Sequence, residues 1–179
     1  MVGRRPGPGA VPAGPVTAAQ PTAGSTPISV RRVPAFNHVG LCVTDLARSR
    51  RFYIELLGFS PQRSLVVPDE PSDRLLGVAP PLNLTAVYLG LDGLVLELLC
   101  FERPDNPPFR ARVFNEPGLT HLSVSVDDVR ATAARAAEFG GTALADTDIG
   151  AALFIRDPDG QLIELLPLSY RTALDAPPD

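Results

Sequence analysis

The 179-residue sequence predicts an α+β fold built from two copies of a βαβββ unit. Two internal alignments carry that reading, together with a switch of hydrophobic period inside each copy. "NHVGLCVTDLARSRRFYIELLGF" (37–59) lies without a gap over "THLSVSVDDVRATAARAAEFGGT" (120–142) at an offset of 83. His38 falls on His121, Asp45 on Asp128, Glu55 on Glu138 and Gly58 on Gly141. "DGLVLELL" (92–99) lies over "DGQLIELL" (159–166) at an offset of 67, placing Glu97 on Glu164. The first copy is therefore 16 residues longer between its two blocks, most easily in the Pro-rich stretch 66–83.

Each element has a local cause. "HVGLCV" and "HLSVSV" alternate with period two, so Val39, Leu41, Val43 and Leu122, Val124, Val126 share an apolar strand face. The opposite face carries His38, Gly40, Cys42 and His121, Ser123, Ser125. Asp45 and Asp128 occupy N-cap positions, where a carboxylate accepts from otherwise unpaired backbone N–H groups. Leu46, Tyr53, Leu56 and Leu57 then fall on one helical face, as do Val129, Ala133, Ala136 and Ala137. Gly58 and Gly140–Gly141 supply stops that tolerate positive φ. Three strands follow in each copy. In the second they are expected near 142–146, 151–156 and 161–167, with "RDPDGQ" as the last turn.

Composition bounds the function. A hydrophobic share of 45% and a charged share of 20% suit a soluble domain with a real core. A net charge of −4 argues against general nucleic-acid binding. No apolar run is long enough to span a membrane. Cys42 and Cys100 offer neither a disulfide framework nor a CxxC zinc site, which fits reduced thiols in a cytoplasmic protein. Residues 1–33 are rich in Pro, Gly, Ala and Thr and read as a disordered tail. Arg4-Arg5 looks like a twin-arginine export signal, but Pro and Gly interrupt every apolar stretch after it. Residues 169–179 read as a C-terminal tail, leaving a domain at 34–168 with modules at about 35–103 and 117–168.

The two histidines are the only ones in the chain, and both begin the first strand of a repeat on its less apolar face. Glu97 and Glu164 interrupt apolar strands at equivalent positions. A buried carboxylate without a partner costs several kcal/mol or more, so each glutamate must reach water, meet a cation or ligate a metal. Two imidazoles and two carboxylates suit Zn, Ni, Co, Mn or Fe(II). Ordinary hydrogen-bonded histidines and outward or Arg-paired glutamates are the competing explanation.

With these residues in view, "FNHVGLCVTDLARSRRFYIELLGF", "GLTHLSVSVDDV" and "LFIRDPDGQLIELLPL" resemble the vicinal oxygen chelate superfamily. That group includes glyoxalase I, methylmalonyl-CoA epimerase, extradiol dioxygenases, fosfomycin-resistance transferases and bleomycin-resistance proteins. The resemblance implies paired βαβββ modules forming an incomplete eight-stranded barrel around a metal cleft. It implies one divalent ion held by His38, Glu97, His121 and Glu164, a homodimer, and a small-molecule substrate such as a thiol or CoA conjugate.

Four protein ligands resemble the proton-transferring members, so the first expectation is a metal-dependent isomerase or lyase of glyoxalase I or epimerase type. Glu164 or Glu97 would be the base. The epimerase commonly has Gln where Glu97 stands, and its separate base has no clear counterpart; Glu70 and Asp73 are possibilities. The alternatives are an Fe(II)-dependent extradiol-type dioxygenase, which needs an open position that Glu97 would fill, and a non-catalytic ligand-binding or resistance protein. Arg110, Arg112 and Asn115 are candidates for an anionic substrate arm or for a solvated linker. Phe154 is a candidate cleft wall or core aromatic. Arg103 and Arg156 read as surface charges.

Overall fold

The computed structural model describes residues 34 to 174. The sequence expectations for 1–33 and for 175–179 lie outside the described residues.

Eight strands divide into two four-stranded sheets. The first module contains β1 (Val39–Val43), β2 (Ser60–Val67), β3 (Leu84–Leu91) and β4 (Leu94–Phe101). The second contains β5 (Leu122–Val126), β6 (Thr142–Leu144), β7 (Leu153–Arg156) and β8 (Leu162–Pro167). Their orders are β1-β4-β3-β2 and β5-β8-β7-β6, so the duplication extends to topology. In each sheet the first strand runs parallel to the last and the remaining pairs are antiparallel. The expected barrel is thus two sheets that strand pairing does not close onto one another.

Helices α1 (Leu46–Arg51) and α3 (Val129–Arg135) follow β1 and β5. The side chain of Asp45 accepts from Arg48 N at 3.0 Å, and that of Asp128 from Ala131 N at 2.9 Å. Both helices then change pitch. A π-helical turn, Phe52–Leu56, follows α1, and a 3₁₀ turn, Ala136–Phe139, follows α3. The tightened turn rotates the buried face: Phe139 is buried and Ala137, expected inside, is exposed. Gly58 (φ +79°) and Gly140 (φ +80°) end the two segments. Gly141 serves a different need, because a Cβ there would lie 2.5 Å from both Arg156 O and Phe52 Cε2.

The extra length of the first copy lies between β2 and β3 as expected, and carries helix α2 (Asp69–Leu76). The stretch from residue 169, read as tail, opens with helix α4 (Ser169–Leu174), whose Arg171 pairs with Asp92 at 2.7 Å. Among the described residues no helix is long and apolar enough to cross a membrane.

One core joins the modules. Phe52, Tyr53, Leu96 and Leu98 of the first pack in the same buried cluster as Ala136, Ile155, Ile163 and Leu165 of the second. At about 25 cal/mol per Å² of apolar surface, this burial is the main stabilising term. The turn between β7 and β8 docks on the first helix. Tyr53 donates to Asp157 at 2.9 Å, and Arg48 and Ser49 reach Asp159 at 3.0 and 3.2 Å. Burial pushes the Asp157 carboxyl above its usual range and the Tyr53 phenol well above its own, so Tyr53 remains a donor.

Candidate functional site

Each sheet turns one face into the core and leaves the other open, and the open faces carry the chemistry. In the first module Glu97 lies on β4 beside Gly40 of β1 and opposite Tyr88 of β3. Its Oε2 is 3.0 Å from His38 Nε2. The Tyr88 hydroxyl donates to its Oε1. That bond is the main cause holding the Tyr88 phenol above its usual pKa. The His38 and Tyr88 rings meet edge to face at 5.7 Å, and Asn37 Oδ1 lies 2.6 Å from His38 Nδ1. The Glu97 side chain is 12% exposed, so the carboxylate is mostly withdrawn from water.

The second module repeats the pair with different support. Glu164 lies beside Ser123 of β5 and opposite Phe154 of β7. Its Oε2 accepts from Ser123 Oγ at 2.8 Å and lies 3.6 Å from His121 Nε2. Thr120 Oγ1 is 2.9 Å from His121 Nδ1. Phe114 stacks on the His121 ring at 5.4 Å, and Phe154 meets it edge-on at 5.5 Å. A cavity of about 500 Å³ opens beside this pair, under the segment that joins the modules.

His38 thus meets Glu97, and His121 meets Glu164. Among the described residues no three His, Cys, Asp or Glu side chains gather around one point. Each pair offers one nitrogen and one oxygen donor, half of a four-donor set of the kind that imidazole and carboxylate give to first-row ions. The donor chemistry fits a divalent ion once two such halves meet.

The other candidates separate. Phe154 and Arg112 line the cavity, but Arg112 is turned to the backbone: it donates to Pro117 O and to Leu119 O at 3.4 Å, and lies 3.7 Å from Glu116. Arg110 is exposed and paired with Glu116 at 2.8 Å, and Asn115 is exposed away from the cavity lining. Glu70 and Asp73 lie in α2. Arg103 is no loose surface charge. Its side chain, 16% exposed, donates to Ala79 O and to Pro81 O at 3.3 Å and pairs with Asp105, tying the insertion to the end of β4. Arg156 donates to Gly160 O at 2.8 Å at the cavity wall. Tyr88 and Ser123 were missed as supports of the glutamates. A signal for Tyr88 was present: Asp92 and Gly93, both at positive φ, form a two-residue hairpin turn, and counting back from it sets Tyr88 opposite Glu97.

Known proteins are similar to this chain in sequence or in fold. The YaeR protein of Escherichia coli (strain K12), itself uncharacterized, is 36% identical over 98 residues, which are 55% of this chain. The match spans 65% of that relative's length. Among solved structures, the trypanothione-dependent glyoxalase I of Leishmania major is 26% identical, with a TM-score of 0.56 over 77% of this chain and 89% of its own. A glyoxalase family protein of Bacillus cereus reaches a TM-score of 0.64 at 18% identity, over 78% and 97% of the two chains. The fosfomycin resistance protein FosX of Listeria monocytogenes, complexed with Mn(II), reaches 0.53 at 16% identity, over 79% and 99%. The last two show the fold alone. A family model for the Glyoxalase/Bleomycin resistance protein/Dioxygenase superfamily matches residues 35–165, across both His–Glu pairs, and the chain belongs to that superfamily.

Proposed function

We propose that this protein is a divalent-metal-dependent isomerase or lyase acting on a small molecule with vicinal oxygens. One observation carries the reading: a His Nε2 faces a Glu carboxylate at 3.0 and 3.6 Å, at repeat-equivalent positions on the open face of each sheet. His38, Glu97, His121 and Glu164 would hold the ion, which supplies Lewis acidity that lowers the pKa of a C–H beside a polarised oxygen. Because one chain presents the donors as two pairs, the reading includes a homodimer in which His38 and Glu97 of one protomer meet His121 and Glu164 of its partner.

The carboxylates divide the remaining work. Glu97 has both oxygens engaged, one by His38 and one by Tyr88, which suits a fixed anion. Glu164 has both of its contacts on Oε2. Its Oε1 is the atom that takes a proton from substrate carbon and returns it to the neighbouring centre. Ser123 holds the other oxygen and so orients the base. Phe114 and Phe154, packed on His121, shield the proton transfer from water.

Elemental analysis and sedimentation of the purified full chain test this. The expected result is one Zn, Ni, Co or Mn per site in a dimer. Iron with oxygen uptake would favour ring-cleaving dioxygenase chemistry. A metal-free, monomeric protein that refuses divalent ions would remove the reading and leave a ligand-binding or resistance role.

A further inference from the structure

We infer that the segment joining the modules builds a specificity pocket for an uncharged aromatic or branched apolar arm of the substrate, directly beside His121. The inference rests on the metal-chelate reading of His121 and Glu164 and names the class of molecule that site takes.

The walls are Phe109, Val113, Phe114, Leu119, Phe154 and Leu162, around a cavity of about 500 Å³, within the range of small-molecule sites. Phe109, Val113, Phe114 and Leu119 are 59%, 70%, 53% and 60% exposed, so apolar surface is left open at the cavity rather than buried by the chain itself. Three wall residues link the cavity to the pair: Phe114 and Phe154 touch the His121 ring, and Thr120 bonds its Nδ1. An oxygen held at the pair would therefore project its substituent between these rings.

Charge supports the same choice. The cations at the cavity, Arg112 and Arg156, spend donors on backbone carbonyls at Pro117, Leu119 and Gly160, and Glu116 stands beside Arg112. Arg110 is paired with Glu116 as well. Glu116 offsets the charge of Arg110 and Arg112, and Arg156 holds Gly160 O through Nη1, whereas an aromatic ring needs none of these cations. Phe109 is seated by a special backbone. Gly160 sits at φ +95°, and a Cβ there would lie 2.8 Å from the Phe109 ring. A side chain at Gly160 would both strain that backbone and displace the ring from its place against the β7–β8 turn.

Calorimetric titration of the zinc-loaded full chain tests the pocket with three bidentate oxygen chelators: benzohydroxamate, acetohydroxamate and the anionic succinohydroxamate. Benzohydroxamate should bind at least tenfold more tightly than acetohydroxamate, the size of effect an apolar group gains in a fitted pocket. Phe109→Ala should shrink that ratio to under threefold while leaving acetohydroxamate affinity and sedimentation unchanged. Val113→Ala should shrink it less. Zinc-dependent binding of the phenyl and methyl compounds within threefold of each other would overturn the pocket alone. So would tighter binding of succinohydroxamate, or a Phe109→Ala variant that turns monomeric, which would make these residues a protomer interface. Binding of all three that ignores zinc would overturn the chelate reading and this inference with it.

Discussion

The two modules hold the same pair of residues by different means. In the first, the hydroxyl that steadies the glutamate comes from Tyr88, across an antiparallel strand pair. In the second it comes from Ser123, across a parallel pair, and the place of Tyr88 is taken by Phe154, which has no hydroxyl to give. Gly40, the counterpart of Ser123, has no side chain to offer. Each glutamate therefore receives one hydroxyl bond, supplied from opposite neighbours. The surroundings diverge further. The first module has eight-residue strands β2, β3 and β4 and the α2 insertion, while β6 and β7 have three and four residues and a cavity beside them. What the duplication keeps is the frame and the His–Glu pair. What it lets drift is the support and the access, so the two pairs stand in different surroundings.

The strongest test of that division replaces the glutamates. Glu97→Gln and Glu164→Gln should each lower divalent-metal affinity by about 100-fold, the upper end of what losing even an outer partner costs. Activity should then separate them: with saturating metal, Glu97→Gln should recover part of its turnover and Glu164→Gln none. Equal recovery would erase the difference between fixed anion and base.

Removing the hydroxyls should have a smaller effect. Tyr88→Phe and Ser123→Ala should each cost about 10-fold in metal affinity, as outer-shell partners do. Installing Phe154→Tyr in the Ser123→Ala variant offers Glu164 a hydroxyl from the side used by Tyr88 and should restore much of the loss. A silent Tyr88→Phe would show that the cross-strand bond does not steady Glu97, and the symmetry of support would go with it.

The smallest effect concerns the joint between the modules and is read through pH. Asp157 is held above its ordinary value of 3.8, chiefly by burial. The folded state then binds the proton more tightly than the unfolded one. Its contribution to stability is complete below the ordinary value and declines as pH rises through the folded one. Asp157→Asn should therefore slightly flatten the fall in melting temperature on going from about pH 4 into the mildly acidic range, since three hydrogen bonds to the carboxylate oppose the burial. A variant whose profile superimposes on the wild type would remove Asp157 as the source.

How much of this was legible follows from the physics of each feature. The strands, the Asp45 and Asp128 caps and the His–Glu positions were readable because period, cap chemistry and repetition are local properties. The rotation of the second helix was not. Its last turn tightens to 3₁₀, so a 3.6 period counted from Asp128 puts Ala137 inside when Phe139 goes there. The role of Ser123 depends on the register of a parallel pair whose strands lie about 40 residues apart, which no short motif encodes. Arg103 was misread because its acceptors are backbone carbonyls of the insertion, invisible to charge counting. Arg110 and Arg112, read as an anionic-arm site or a solvated linker, have their partners in Glu116 and the linker backbone, which spacing does not reveal. Arginines in a linker look available until the fold shows what each already holds.

The docked β7–β8 turn also sets an order of events in time. Its bonds to the first helix span 104 to 111 residues of chain, so they can form only when synthesis or collapse has brought nearly the whole domain together. Until then the hydroxyls of Tyr53 and Ser49, buried in the finished protein, have no carboxylate to meet. The N-terminal half of the domain thus lacks the final partners of these hydroxyls until the last hairpin arrives. A chain ending at Arg156 should accordingly show fast amide exchange through Phe52–Leu56 despite an intact first sheet, and full protection there would break the dependence.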